Sequence, residues 1–172
     1  MCRCSTATSV CALRLGLIQE LGLAPIFTRA TIAFVALPGS FAYLVPGAWV
    51  CLTGQALRWP YGLATIALGT FGLLWCVRDF YVSGRGTLAP WAPPQTLVVV
   101  GLYRYSRNPM YVCVLVVLLG WAVLFGSVGL LAYAFTVGIA FHLRVVLGEE
   151  PWLARTHGAA WQQYTRRVRR WF

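Results

Sequence analysis

Two short runs in this chain carry residue types whose spacing could do chemistry. The first is Gly101-Leu102-Tyr103-Arg104-Tyr105-Ser106-Arg107-Asn108-Pro109-Met110-Tyr111. Asn followed by Pro reads as a helix start: Asn108 is expected to accept from the first free N–H groups, and Pro109 fits the first turn. Arg104 and Arg107 then stand at the positive end of that helix, a site suited to a carboxylate or a phosphate. Read for structure alone, the same residues are a capped helix with snorkelling arginines. The second run is Glu149-Glu150-Pro151, which holds two of the four acids in the chain. An unpaired acid near bilayer depth costs about 2.5–3.5 kcal/mol on insertion scales, so Arg104, Arg107 and Arg144 are its expected partners. His142 and Glu149 are seven residues apart, two turns along one helical face. The structural alternative is an ion-paired helix end that opens the next helix, with Pro151 in its first turn.

The last segment adds Trp152, Leu153, His157, Trp161, Tyr164, Val168 and Trp171 at helical spacing, with Arg155, Arg166, Arg167, Arg169 and Arg170 between them. This is the pattern of an amphipathic helix lying at a membrane surface. Brought to one side of a bilayer, the three segments would surround a pocket of cations, carboxylates and aromatic faces. A zwitterionic, sulfonium-bearing cofactor suits such a pocket: a carboxylate for Arg, an amine and hydroxyls for Glu, an adenine for the aromatic or apolar walls.

The elements that must position these residues follow from composition. Of 172 residues, 59% are hydrophobic and only 10% charged, and the mean hydropathy is +0.70. A soluble globule of this size could not hide so much apolar surface, which leaves a membrane protein. All fourteen basic residues are Arg and the net charge is +10. These arginines flank apolar runs, as membrane topology requires, so nucleic acid is not the expected partner. Cysteines occupy 2, 4, 11, 51, 76 and 113; the Cys2-x-Cys4 pair has no second pair or His at ligand spacing, and free thiols rather than a metal site are expected.

Residues 1–28 are broken by Arg14, Gln19 and Glu20, which does not read as a signal peptide but as an interfacial or poorly ordered segment. Residues 29–172 read as one membrane-embedded domain. Its first apolar run, 30–57, is interrupted by Pro38 and Pro46, so a kinked span or a re-entrant pair is expected. The second, 59–77, has nineteen uncharged residues, enough to cross a core of about 30 Å. A long polar stretch, 78–108, follows, with a short apolar run at 97–100. The runs 109–125 and 128–147 form a hairpin turned at Gly126-Ser127. The predicted fold is therefore an all-α integral membrane protein of four to five transmembrane helices with a C-terminal amphipathic interfacial helix. With four spans, thirteen arginines share a side and only Arg58 lies on the other, placing both termini and the long loop in the cytosol.

The run Gly101-x-Tyr103-Arg104-x-x-Arg107-Asn108-Pro109-Met110-Tyr111, followed by Glu149-Glu150-Pro151-x-Leu153-x(3)-His157-Gly158-x(2)-Trp161-x(2)-Tyr164-x(3)-Val168-x-Arg170-Trp171, resembles the isoprenylcysteine carboxyl methyltransferase and phospholipid N-methyltransferase superfamily. Gly84-x-Gly86-Thr87-x-Ala89-Pro90 and Leu97-Val98-Val99 are similar to its bacterial members, and the likeness covers about residues 60 to 172. The resemblance implies an integral membrane methyltransferase that uses S-adenosyl-L-methionine, held between the cytosolic ends of the last spans and the C-terminal helix. It puts cofactor contacts on Val100, Gly101, Tyr103, Arg107, Asn108, Pro109, Tyr111, His142, Glu149 and Glu150, with Leu153, His157 and Tyr164 on the covering helix. Arg107 would take the cofactor carboxylate or an acceptor anion, and Glu150 or Glu149 its polar groups, so Arg107 and Glu150 are the expected catalytic pair. The carboxyl methyltransferases usually have His where this chain has Asn108, and the phospholipid enzymes more often show Asn-Pro-Met-Tyr and Glu-Glu-Pro. An isoprenylcysteine-type carboxylate and a phospholipid amine both stay open as acceptors; the amine would need to lose a proton, to His142, His157 or a Glu. Gly69-x-x-Gly72 resembles a cofactor motif of the phospholipid enzymes, but glycines within a span commonly serve packing.

No G-x-G-x-x-G follows a predicted strand, so a soluble Rossmann-type methyltransferase is excluded. A small transporter would need an ionisable residue near mid-bilayer, and the first two runs hold none. A non-catalytic scaffold that keeps the fold is the other reading. The expected partners are the bilayer and a lipophilic small molecule or lipidated substrate entering laterally between spans.

Overall fold

Long uncharged runs in an apolar medium leave the backbone one way to satisfy its N–H and C=O groups, which is to bond within helices. The computed structural model describes residues 35–84 and 97–171, and its regular elements there are all helical. The predicted segment 1–28, the Cys2-x-Cys4 pair and the Gly86-Thr87-x-Ala89-Pro90 part of the motif lie outside the described residues. A π-helical stretch, Val35–Leu44, runs directly into α1, Val45–Thr53. Pro46, in the first turn of α1, has no N–H to give, and the winding changes there. In the described part this run is one irregular helix, ended by a left-handed Gly54 (φ +62°), rather than a re-entrant pair. Helix α2 spans Tyr61–Gly84, α3 Pro109–Phe125 and α4 Val128–Arg144; a π-helical stretch, Val145–Glu149, leads into α5, Glu150–Arg167.

Helices α2 and α3 form an antiparallel pair whose seam is built from small residues. A Cβ on Gly62 would lie 2.5 Å from the Leu124 backbone nitrogen, and one on Gly69 would lie 2.9 Å from the Cys113 carbonyl oxygen. Gly120 of α3 answers in kind, pressed against Ile66. Gly69 and Gly72 both face α3, so this pair of glycines serves helix packing. Around the seam Leu73, Val114, Val117, Leu118, Ala134 and Val137 make the core. The turn between α3 and α4 is as predicted: Gly126 is left-handed, and the Ser127 hydroxyl accepts from the Leu130 N–H at 3.4 Å.

The outer faces are apolar, with Leu68 68% and Phe135 72% exposed. An apolar exterior around a small-residue seam is the arrangement that lipid tolerates and water does not. Among the described residues two helices are long and apolar enough to cross a membrane, Tyr61–Asp79 and the one beginning at Val128; Gly39–Thr53 and Pro109–Phe125 are apolar but shorter. Among the described residues the chain is all-α, as predicted, with two candidate membrane-spanning helices.

The C-terminal part differs from expectation in two places. Glu149-Glu150-Pro151 does not end a helix: the Glu150 N–H reaches back five residues to the Val145 carbonyl, and this wider turn accommodates Pro151 without a break. The break comes instead at Gly158, whose backbone (φ +47°, ψ −116°) leaves the helical region. Beyond it Trp161, Tyr164 and Val168 turn inward against Leu97 and Leu153, while Trp152 stays exposed. The predicted single stripe is thus split in two.

Candidate functional site

At the end of α2 and α3 away from Arg58, the start of α3 meets the C-terminal tail. The 3-10 turn Gly101–Arg104 leads to Ser106, Arg107 and Asn108, which abut the tail beyond α5. The Arg107 N–H donates to the Arg169 carbonyl at 2.9 Å, and Asn108 Nδ2 and Ser106 Oγ donate to the Arg170 carbonyl at 3.1 and 3.3 Å. Asn108 makes no side-chain cap, which corrects the sequence expectation. Its amide is committed to the tail, and its own backbone N–H donates to Ser106 Oγ at 3.2 Å. Pro109 is buried in the first turn as predicted.

This docking brings the two charged runs into contact. Arg107 Nη1 donates to Glu150 Oε1 at 2.8 Å; Arg170 holds the same carboxylate with two bonds, Nε to Oε1 at 2.9 Å and Nη2 to Oε2 at 2.7 Å. The Arg107 and Glu150 side chains are mostly buried, so these charge-assisted bonds act in a medium of lower dielectric than water. Glu150 in turn raises the pKa of the Arg170 guanidinium by hydrogen bonding. The trio carries a net charge of +1. Arg107 also lies over the Trp161 ring, 5.7 Å from its centroid, and its Nε is buried without a partner.

A second cluster sits beside the first. Tyr111 donates its hydroxyl hydrogen to Glu149, and Arg144 Nε reaches both Glu149 Oε1 (2.9 Å) and the Tyr111 oxygen (3.1 Å). Tyr164 closes the floor by donating to the Tyr103 carbonyl at 2.7 Å. Tyr103 is buried, and burial pushes its phenol pKa well above the usual value, so it stays neutral.

The other expected site residues fall as follows. Val100 is extended and exposed; Gly101 has φ +57° and abuts Asp79. Leu153 packs on the Trp161 cluster, and His157 Nε2 is buried without a partner. His142 is exposed on α4 and accepts from Trp171 Nε1 at 3.3 Å; the π-helical winding of Val145–Glu149 turns Glu149 off the face that seven α-helical residues would share with it. Arg104 is exposed and joins none of the ion pairs among the described residues. Sequence reasoning missed Arg170 as the second counter-ion of Glu150 and Trp161 as the platform beneath Arg107. Both stand in the C-terminal motif, but only the folded tail shows what they touch.

Comparison with known proteins places this geometry in context. The chain is 33% identical over 129 residues to the "Cobalt-zinc-cadmium resistance protein CzcN" of Cupriavidus metallidurans, covering 73% of this chain and 52% of that protein. It is 29% identical over 111 residues to the "Nickel-cobalt-cadmium resistance protein NccN" of Alcaligenes xylosoxydans xylosoxydans, covering 64% and 47%. The chain thus spans about half the length of the curated relatives it matches. No solved structure matches. Residues 57–160, which contain α2 to α4 and the Arg107–Glu150 contact, match the phospholipid methyltransferase family, and the chain belongs to that family.

Proposed function

We propose that this protein is an integral membrane methyltransferase that uses S-adenosyl-L-methionine and modifies a lipophilic acceptor at the cytosolic face of the membrane. The observation that carries the reading is the Arg107–Glu150–Arg170 cluster, assembled from sequence segments 43 and 20 residues apart. The residues present fit the cofactor. A trio with net charge +1 and an unpartnered Arg107 Nε favours a carboxylate, and Glu150 accepts three bonds, which leaves one carboxylate lone-pair site for an amine. Trp161, Leu153 and the unpartnered His157 Nε2 offer an aromatic wall and a polar contact for a nucleoside. When bound, the cofactor supplies an electrophilic methyl group on a sulfonium.

The chain's own part is binding and alignment. Arg107 and Glu150 hold the charged end, and Tyr111 and Tyr164 fix the walls through their bonds to Glu149 and Tyr103. The apolar surroundings exclude water from the reacting groups, and alignment is where large rate factors arise. The acceptor enters from lipid between helices. The relatives' names speak of resistance to metal cations; among the described residues no three His, Cys, Asp or Glu side chains are placed to hold one.

The test is calorimetry with S-adenosylhomocysteine on the detergent-purified protein, followed by incubation with methyl-labelled cofactor and membrane lipid extract. Binding that weakens about tenfold or more in Arg107→Ala and Glu150→Ala, with label entering lipid, is expected; each lost charge-assisted bond accounts for about 1.5–3 kcal/mol. No heat at millimolar ligand overturns the reading.

A further inference from the structure

Most of the seam between α2 and α3 is hydrocarbon and glycine, but toward the end that carries the charged cluster it holds sulfur. Cys76 on α2 is fully buried, Cys113 on α3 is half-buried, and both are free thiols. They are 37 residues apart in sequence, yet the two thiols hydrogen-bond to each other across the seam. Gly72 leaves the room for this approach: a Cβ there would lie 2.7 Å from Cys113 Sγ. Met110, one turn before Cys113 on α3, packs against the same cluster of Cys76, Val98 and Tyr103. Among the described residues no three His, Cys, Asp or Glu side chains are placed to share an ion; here a thioether supplies the third donor. Asp79, one turn beyond Cys76, is 7% exposed, and its Oδ2 is buried without a hydrogen-bond partner. Its charge reaches Cys76.

We infer that Cys76, Cys113 and Met110 form a site for one thiophilic divalent cation of the Cd2+ type, held between α2 and α3. The site uses none of the residues of the Arg107–Glu150–Arg170 cluster and does not depend on the methyltransferase reading. Thiolate and thioether sulfurs are soft donors that select soft ions, whereas Mg2+ and Ca2+ take oxygen. Charge selects the valence. Binding sends both thiol protons to water, so the ion meets two thiolates, and a divalent ion leaves the group neutral in an apolar seam. A monovalent ion such as Cu(I) would leave a net negative charge buried near Asp79, where like charges repel strongly. The Asp79 carboxylate itself sets a negative potential beside Cys76, which favours a cation there. Metal–thiolate bonds are about 2.3 Å long for zinc, so two sulfurs already in hydrogen-bond contact close on an ion with little backbone movement. Cys113, the less buried of the two, gives the ion its way in. An ion bonded to both helices then ties α2 to α3.

The experiment titrates Cd2+ under nitrogen into the full chain in detergent, carrying Cys2→Ser, Cys4→Ser, Cys11→Ser and Cys51→Ser so that only Cys76 and Cys113 keep thiols. The ultraviolet thiolate-to-cadmium charge-transfer band is expected to grow to one ion per chain, with an excess of Mg2+ leaving it unchanged. Adding Cys76→Ser or Cys113→Ser is expected to abolish the band. Met110→Leu, which conserves volume, is expected to weaken binding about tenfold through loss of the soft thioether ligand. Because the ion bridges two helices, Cd2+ is expected to raise Tm in the parent chain and not in the Cys113→Ser variant. Circular dichroism on each variant checks that the helices are retained. A band of equal size in either serine variant, or no band in the parent, overturns the inference. So does one ion per two chains, which would put the thiolates of different copies on the metal. Unchanged affinity in Met110→Leu overturns the three-sulfur site.

Discussion

Glu150 is a carboxylate that two guanidiniums hold: removing Glu150 leaves two arginines without a counter-ion, and removing Arg170 takes two of the three bonds the carboxylate accepts. Breaking a buried ion pair by deleting one partner typically costs 3–5 kcal/mol; with Arg170 about a third exposed, roughly half that is expected here. Arg170→Ala should therefore lower thermal stability in detergent and weaken S-adenosylhomocysteine, and Arg170→Lys should rescue little, since a lysine cannot make the two parallel bonds. A lysine variant that behaves as wild type would show that charge alone matters. Tyr164→Phe is a smaller change: the bond from its hydroxyl to the Tyr103 carbonyl is lost, and about 0.5–1.5 kcal/mol of stability should go with it, read as a fall in Tm. At this scale the sequence was partly legible. Arg107 and Glu150 were visible because charges beside apolar runs need partners. Asn108 was misread as a cap because its competitor, the Arg170 carbonyl, belongs to a tail 62 residues away. Arg170 was one arginine among several in a basic segment, and nothing in its spacing marked it.

The elements that hold these residues were legible where a single residue dictates the backbone. Pro109 starts α3, and Gly126 with Ser127 turns it. The apolar run alone did not show the π stretch Val145–Glu149, which depends on how Pro151 is absorbed, nor the break at Gly158, where a glycine at helical spacing reads as merely a weak position. Helix pairing is where a substitution should act most strongly without touching the site. A side chain on Gly69 would meet backbone atoms of α3 at 2.9 Å, which cannot yield as a flexible side chain could. Gly69→Val is expected to force α2 and α3 apart, at a cost of about 1–3 kcal/mol or more, and to lower Tm. Gly148→Ala, with open space around it, should leave Tm unchanged. The pair of variants distinguishes seam packing from a general intolerance of larger residues.

For the molecule as a whole, the distribution of charge along the helix axis sets an expected orientation. Arg58 stands at the end where α2 begins and α3 finishes; its Cδ comes within 2.8 Å of where a Gly126 Cβ would be. The Arg107, Arg144 and Arg170 contacts lie at the other end, with the tail. Cytosolic loops carry the excess of positive charge, so the charged cluster should face the cytosol, where an adenosyl cofactor is available, and Arg58 the outside. Arg104 is exposed and joins no ion pair among the described residues, which makes it a suitable reporter. In a chain stripped of its six native cysteines, Arg104→Cys should react with a membrane-impermeant maleimide in inside-out vesicles but not in intact cells, and Arg58→Cys the reverse. Labelling of Arg104→Cys from outside would place the cluster away from its cofactor and refute the orientation. Equal labelling of both from one side would instead mean that α2 does not cross the bilayer, because these two positions are separated by its full length.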